Sequence, residues 1–140
     1  MIKAALFDLD GVVFETESQY TIFWGMIGRE YHPEMPDFAH RIKGQTLVQI
    51  YDKYFSDAQT FAHIEGFTSV AEEQAKITVR LDEYERNMAY NYVAGFEDFV
   101  KDLKKNGVKC AVVTSSNANK MSIVYECHPE FKTYFDKVLT

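Results

Sequence analysis

The sequence predicts an α/β fold in which a parallel sheet carries an inserted helical domain. Two short apolar runs end in small polar residues: residues 3–7 lead into two acids and Gly11, and residues 108–113 lead into Thr114. Such runs are typical of buried parallel strands that end in a loop. The segment between them is far longer than one crossover requires, and its periodicity is helical. Helices inserted after the first strand account for this length.

The inserted part shows three helical patterns, over residues 17–31, 46–55 and 70–91, with Pro33 and Pro36 marking a loop inside it. No strand signal competes there. We therefore expect a helical domain at residues 15–92 and a core made of residues 1–14 and 93–140. The hinges are expected near residues 13–15 and 92–95.

The second half alternates helices and strands. Apolar residues recur at helical spacing over residues 96–103, and the Asn106-Gly107 pair predicts the end of that helix. A helix that feeds the second strand completes a right-handed crossover, which places this strand beside the first. A further helix is predicted at residues 117–127, and the opening of a third strand at residues 136–140.

Composition narrows the function classes. The 140 residues are 46% hydrophobic, and 15 basic against 21 acidic residues give a formal charge of −6. An acidic balance argues against sequence-independent binding of nucleic acid. No apolar run approaches the roughly 18 residues of a membrane span, and the N-terminus reaches Asp8 too early for a signal peptide. We expect a cytoplasmic protein without nucleic-acid or membrane partners, and the oligomeric state stays open. The two cysteines are too few for a disulfide scaffold or a zinc site.

Asp8 and Asp10 follow the first predicted strand. Side chains two apart in an extended chain point to the same side, so the two carboxylates converge where parallel sheets bind ligands. One can serve as nucleophile and the other as general acid and base. Gly11 permits a sharp turn whose amides could hold an anion. A plain turn at the end of a strand explains the four residues about equally well.

Thr114 ends the second predicted strand and is followed by Ser115 and Ser116. A hydroxyl at this place can bind a phosphate oxygen near Asp8. The same residue types are also common helix N-caps. In either case a helix begins here, and its N-terminus favours anions.

With both segments in place, the chain resembles the haloacid dehalogenase-like hydrolases. Residues 6–12 (LFDLDGV) match their first motif, and residues 111–114 (AVVT) match their second. The spacing between the motifs is similar to that of the subgroup with a helical cap, which includes β-phosphoglucomutase and small sugar-phosphate phosphatases. The resemblance implies a Rossmann-like parallel-sheet core with an inserted helical cap.

The resemblance also implies roles for individual residues. Asp8 would be the nucleophile that forms an aspartyl-phosphate, and Asp10 the acid and base. Mg²⁺ would be held by the Asp8 carboxylate and the Asp10 carbonyl. Thr114 and Ser115 would bind phosphate, and the substrate would be a small phosphorylated metabolite. Further substrate-facing residues implied in this way are Thr16, Trp24, Lys43, Gly44, Ser116 and Asn117. Packing inside a helical bundle explains Trp24 about as well, and surface charge explains Lys43.

Two departures favour a phosphatase over the alternative, β-phosphoglucomutase. Tyr20 stands where the mutase has a histidine, and residues 45–47 (QTL) contain no arginine after Lys43-Gly44. The family's third-motif lysine and fourth-motif acids are expected beyond Thr140, since Lys132, Asp136 and Lys137 come too early. The chain therefore reads as the N-terminal part of a longer enzyme. A non-catalytic remnant that binds phosphate or pairs with another chain is the alternative from another class.

Overall fold

The computed structural model describes residues 3–140, so Met1 and Ile2 of the predicted core lie outside the described residues. Its described strands form one parallel sheet in the order β1 (Ala4–Phe7), β2 (Lys109–Val113) and β3 (Lys137–Leu139). The α/β class, the parallel sheet and the pairing of the first two strands are confirmed.

Six α-helices connect and extend the sheet over residues 3–140: α1 (Glu17–Tyr31), α2 (Phe38–Arg41), α3 (Leu47–Tyr54), α4 (Val70–Asn87), α5 (Phe96–Lys105) and α6 (Ala118–Cys127). Two 3₁₀ helices lie at Ala58–Phe61 and Phe131–Tyr134. The sequence did not predict α2 or either 3₁₀ helix. None of the helices in this part of the chain has the length and apolarity needed to cross a membrane.

Local capping fixes several helix ends. Thr46 accepts a hydrogen bond from the Gln49 amide, and the Gln49 side chain accepts one from the Thr46 amide, which forms a capping box at α3. Asn117 caps α6 through the Lys120 amide. After α5 the chain turns at Gly107, whose φ of 76° is one that glycine adopts without strain.

Two compact units divide the chain. One contains the residues up to Glu17 together with Arg86–Thr140, and the other contains Ser18–Glu85. Each has its own apolar core. The first core is built around Leu9, Val13, Phe14, Val100, Cys110, Val112, Val124 and Phe131, all of them fully buried. The second is built around Phe23, Ile27, Phe38, Phe55, Phe61 and Ile77.

The sheet is covered on one face within the described residues. Phe7, Cys110 and Val112 are buried against the first core, whereas Leu6 and Val113 on the opposite face are exposed. Cys110 is a buried free thiol, as its place in an apolar run predicts.

Candidate active site

Asp8 and Thr114 leave neighbouring strands at the same edge of the sheet. The parallel register pairs Phe7 with Val112, so Asp8 follows β1 where Thr114 follows β2. Asp8 is exposed, while Thr114 is 7% exposed and its amide donates to the carbonyl of Leu139. Ligands of parallel α/β sheets bind at this edge.

The chain after β1 alternates in burial. Leu9 is fully buried, whereas Asp8 is exposed and Asp10 is partly exposed. The Leu9 amide donates to Oδ1 of Asp8 at 2.8 Å. The buried Leu9 side chain thus fixes the segment to the core, while Asp8 and Asp10 on either side of it keep access to solvent.

Gly11 makes the turn that follows, with a φ of 78°. Its amide donates to the Phe14 carbonyl at 2.8 Å, and the amides of Val13 and Phe14 donate to the Leu9 carbonyl. These three amides are therefore satisfied within the loop. A Cβ built on Gly11 would lie 2.8 Å from Oε2 of Glu17, the far end of an exposed side chain that can move aside, so the positive φ is what favours glycine here.

Asp10 is held by two side chains. The Thr16 hydroxyl donates to Oδ1 at 2.5 Å. The Lys120 ammonium donates to Oδ1 at 2.5 Å and to Oδ2 at 2.7 Å. Thr16 is fully buried, and its hydroxyl is bonded to Asp10. The family resemblance implied instead that Thr16 faces the substrate.

The segment after β2 is ordered by its own hydroxyls. Thr114 Oγ1 donates to Ser116 Oγ at 2.9 Å and accepts from the Ser116 amide at 3.1 Å. Asn117 uses its side-chain oxygen to cap α6. Ser115 is exposed. The N-cap of α6 is therefore Asn117 and not Thr114. The hydrogen bonds of Thr114 instead stabilise the turn that precedes the helix.

Sequence reasoning missed Lys120. The residue sits in the first turn of α6, where a cation is disfavoured by the helix dipole. A lysine in the first turn of a helix could have been recognised from the sequence as a residue that needs an anionic partner. The partner itself lies 110 residues away in the sequence, so only the fold identifies it.

The two predicted hinge segments pair with each other. The Glu15 amide donates to the Asn91 carbonyl at 2.8 Å, and the Val93 amide donates to the Val13 carbonyl at 2.9 Å. Beside them, the Tyr92 hydroxyl donates to Glu130 at 2.6 Å. Burial raises the pKa of Tyr92 far above its usual range, and the bond to Glu130 raises it further.

In the helical unit, Trp24 is 7% exposed and lies in the apolar core. Its ring contacts Phe23 edge to face, with 5.1 Å between centroids. Packing thus accounts for Trp24. Lys43 and Gly44 are exposed in the turn after α2, where the Gly44 φ is 80°.

Metal-binding capacity at the site comes from oxygen donors. Among residues 3–140, no three His, Cys, Asp or Glu side chains gather into a cluster that could hold a metal ion. The expected donors are one carboxylate, from Asp8, and one backbone carbonyl, from Asp10. Mg²⁺ prefers oxygen, keeps several waters and uses one or two carboxylates together with substrate phosphate. The donor set fits Mg²⁺ in kind.

The fold defines the class of a parallel-sheet α/β core with a helical insertion. The sequence profile of the haloacid dehalogenase-like hydrolases matches residues 2–140. The chain therefore belongs to this family, and the resemblance identified in the sequence is confirmed.

Solved structures share this fold. β-Phosphoglucomutase from Clostridium difficile is 23% identical with a TM-score of 0.60, over 99% of this chain and 61% of that one. A family IA, variant 3 hydrolase from Entamoeba histolytica is 18% identical with a TM-score of 0.61, over 96% and 58%. CbbY from Rhodobacter sphaeroides, in complex with phosphate, is 19% identical with a TM-score of 0.52, over 99% and 63%.

The chain thus spans about 60% of the length of these structures. No curated protein sequence matches it.

Proposed function

We propose that this protein catalyses Mg²⁺-dependent phosphoryl transfer through an aspartyl-phosphate, and that it hydrolyses small phosphorylated metabolites such as sugar phosphates. The observation that carries the proposal is that exposed Asp8 and buried Thr114 directly follow two paired parallel strands, at the same edge of the sheet. Membership of the hydrolase family supports it.

In the first step an Asp8 carboxylate oxygen attacks the phosphorus of the substrate. The bond from phosphorus to the ester oxygen breaks, and Asp10 gives that oxygen a proton so that it leaves as an alcohol. Asp8 suits the nucleophile because the residue is exposed, whereas both carboxylate oxygens of Asp10 accept hydrogen bonds from Lys120.

In the second step Asp10 takes a proton from water, and the water oxygen attacks the phosphorus of the aspartyl-phosphate. The bond between Asp8 and phosphorus breaks and inorganic phosphate leaves. Asp10 suits this role in its present arrangement, since both of its oxygens accept hydrogen bonds and a fixed carboxylate acts best as a base.

Thr114 and Ser115 are the proposed phosphate ligands, and Ser116 and Asn117 lie in the same segment. The Thr114 hydroxyl is bonded to Ser116 and must turn from it to donate to a phosphate oxygen. Mg²⁺ would be held by the Asp8 carboxylate and the Asp10 carbonyl, and when bound it would offset the repulsion between Asp8 and a phosphate dianion.

Substrate choice is proposed to lie in the helical unit. Exposed Lys43 and Gly44 are candidates for substrate contact, whereas Trp24 supports the fold of the unit from inside its core. Tyr20, which replaces the histidine of the mutase, donates its hydroxyl to Glu85 at 2.5 Å. Cytoplasmic location stays a prediction.

The test is release of inorganic phosphate from a panel of sugar phosphates with MgCl₂. It uses the 140-residue chain and, in parallel, the product of the entire open reading frame that encodes it. Asp8→Asn keeps the shape of the side chain and removes the nucleophile, so it should abolish turnover.

We expect the 140-residue chain alone to be inactive, because the family's third-motif lysine and fourth-motif acids are expected beyond Thr140. If the product of the entire open reading frame turns over no faster than its Asp8→Asn variant on every phosphate, the enzyme proposal is refuted. Phosphate binding without turnover would then favour the non-catalytic alternative. Isomerisation of a hexose 1-phosphate without release of phosphate would favour the mutase.

A further inference from the structure

Lys120 is a buried charge near the proposed site, with only 2% of the residue exposed. An ammonium group loses its hydration on burial, and this cost is large unless the group is paired and hydrogen-bonded. Its position in the first turn of α6 adds an unfavourable interaction with the helix dipole. Neither solvation nor the helix therefore accounts for a lysine at this position.

The contact that offsets these costs is with Asp10. The Nζ atom lies 2.5 Å from Oδ1 and 2.7 Å from Oδ2, so the ammonium spans the carboxylate. The Thr16 hydroxyl fixes Oδ1 from a second direction. Asp10 keeps 32% of its side chain exposed, which leaves it reachable while its orientation is set.

The two donors come from different parts of the core. Thr16 immediately precedes α1, whereas Lys120 comes from α6, whose N-cap Asn117 follows the Thr114 turn. Lys120 thereby joins the segment after β2 to the loop after β1. The proposed phosphate ligands and the proposed acid and base are connected through this one side chain.

We propose that Lys120 is a positioning residue for Asp10: it holds both carboxylate oxygens so that Asp10 meets the leaving group and the attacking water. The inference rests on the proposed function. It differs from a purely structural role, in which the ion pair would only fasten α6 to the loop and its loss would lower stability without a specific kinetic effect.

The test compares Lys120→Met, Lys120→Arg, Asp10→Asn and the double variant of Asp10→Asn with Lys120→Met. The matched control is Lys105→Met, an exposed lysine at the end of α5. The substrate is p-nitrophenyl phosphate with MgCl₂, since nitrophenolate leaves without a proton. Rates are followed in the pre-steady state and at steady state, and the melting temperature of each variant is recorded.

Lys120→Met should lower kcat by about 10- to 100-fold, since a misplaced general base costs about this much. KM should fall in the same proportion, because with this substrate only the second step slows and kcat/KM reports the first. The variant should also show a burst of one nitrophenol per protein, because the first step no longer depends on Asp10 while the second does. Lys120→Arg should restore part of kcat, and the double variant should be no slower than Asp10→Asn alone. Lys105→Met should behave as the wild type.

A wild-type kcat in Lys120→Met, or losses that multiply in the double variant, would overturn the inference while leaving the proposed function intact. If Lys120→Met fails to fold, the arginine variant and the double variant, which removes both charges, decide by the same criteria. If the wild type is no faster than Asp8→Asn, the proposed function fails and this role fails with it.

Discussion

Gly28 of α1 faces Phe38 so closely that a Cβ atom built on Gly28 would lie 2.8 Å from the Phe38 Cβ atom and 3.0 Å from its ring. The helical unit therefore packs the first turn of α2 directly against the backbone of α1. Phe38 is 1% exposed and cannot move aside into solvent. The glycine is required here by the close approach, not by its backbone angles.

Gly28→Ala should destabilise the protein by about 1–3 kcal/mol, the usual cost of overpacking a filled core. Urea denaturation followed by circular dichroism measures it. Gly25 of the same helix is the control, since a Cβ there would meet its nearest neighbour, Arg29, at 3.6 Å. Gly25→Ala should be neutral or gain about 0.5–1 kcal/mol from helix propensity. Equal effects at both positions would contradict the packing.

Alkaline pH should destabilise the fold through three tyrosines. Burial, followed by the bond to Glu73, raises the pKa of Tyr31 to about 12. The bond to Glu97, followed by burial, raises the pKa of Tyr134 to about 12. The pKa of Tyr92 is raised mainly by burial. Since folding raises these pKa values from 10.0, their contribution is complete below pH 10 and is lost as the pH climbs toward 12.

Unfolding free energies at about pH 9 and about pH 11 check this sign, because stability must fall between the two. Tyrosinate absorbance should show the same residues resisting ionisation until the protein unfolds. The phenylalanine variants of the three tyrosines should flatten the pH dependence. A stability that holds steady to pH 11 would show that these hydroxyls are not buried and bonded as described.

The two thiols should differ in reactivity. Cys110 is fully buried, and burial raises the pKa of its thiol, whereas Cys127 is exposed at the end of α6. Because the thiolate is the reactive form, dithionitrobenzoate should modify one thiol in the native protein and both in denaturant. Cys127→Ser should abolish the native reaction. Rapid modification of two thiols in the native state would indicate that β2 is open.

Local sequence signals predicted much of the fold. The apolar runs predicted three strands, and helical spacing predicted α1, α5 and α6 within a residue or two. The sequence did not predict α2, because this helix is a single turn and the Asp37 side chain does not cap it. The pattern at residues 70–91 overran α4 because the chain leaves the helix after Asn87 and pairs Asn91 with Glu15, a long-range contact that propensity does not contain.

The candidate site divides in the same way. Asp8, Asp10 and Thr114 come after neighbouring parallel strands, so their location at the same edge of the sheet could be inferred from topology alone. The partner of Asp10 could not be inferred in this way, because Lys120 lies on a helix 110 residues further along the chain. Trp24 was ambiguous for a related reason: a tryptophan on a helix of an inserted domain has the same sequence signature whether it faces ligand or core.

Thr16 separates two interpretations of the site. As a substrate-facing residue its hydroxyl would touch the ligand, whereas in the structure it is fully buried and donates to Oδ1 of Asp10 at 2.5 Å. Valine has the same shape without the hydroxyl, so Thr16→Val should leave Asp10 with one donor fewer and lower kcat by about ten-fold at nearly constant KM. Serine keeps the donor, and Thr16→Ser should recover most of kcat.

Steady-state kinetics on the best sugar phosphate of the panel distinguishes a Thr16 that contacts substrate from a Thr16 that positions Asp10. Melting temperatures of Thr16→Val and Thr16→Ser serve as the control. If the loss of kcat were caused only by unfolding, the variant with the lower melting temperature would also have the lower kcat. A raised KM with kcat retained in Thr16→Val would identify Thr16 as a substrate contact. A lowered kcat rescued by serine would mean that the hydroxyl acts through Asp10, because a positioning donor changes the barrier of the chemical step and not the affinity for the substrate.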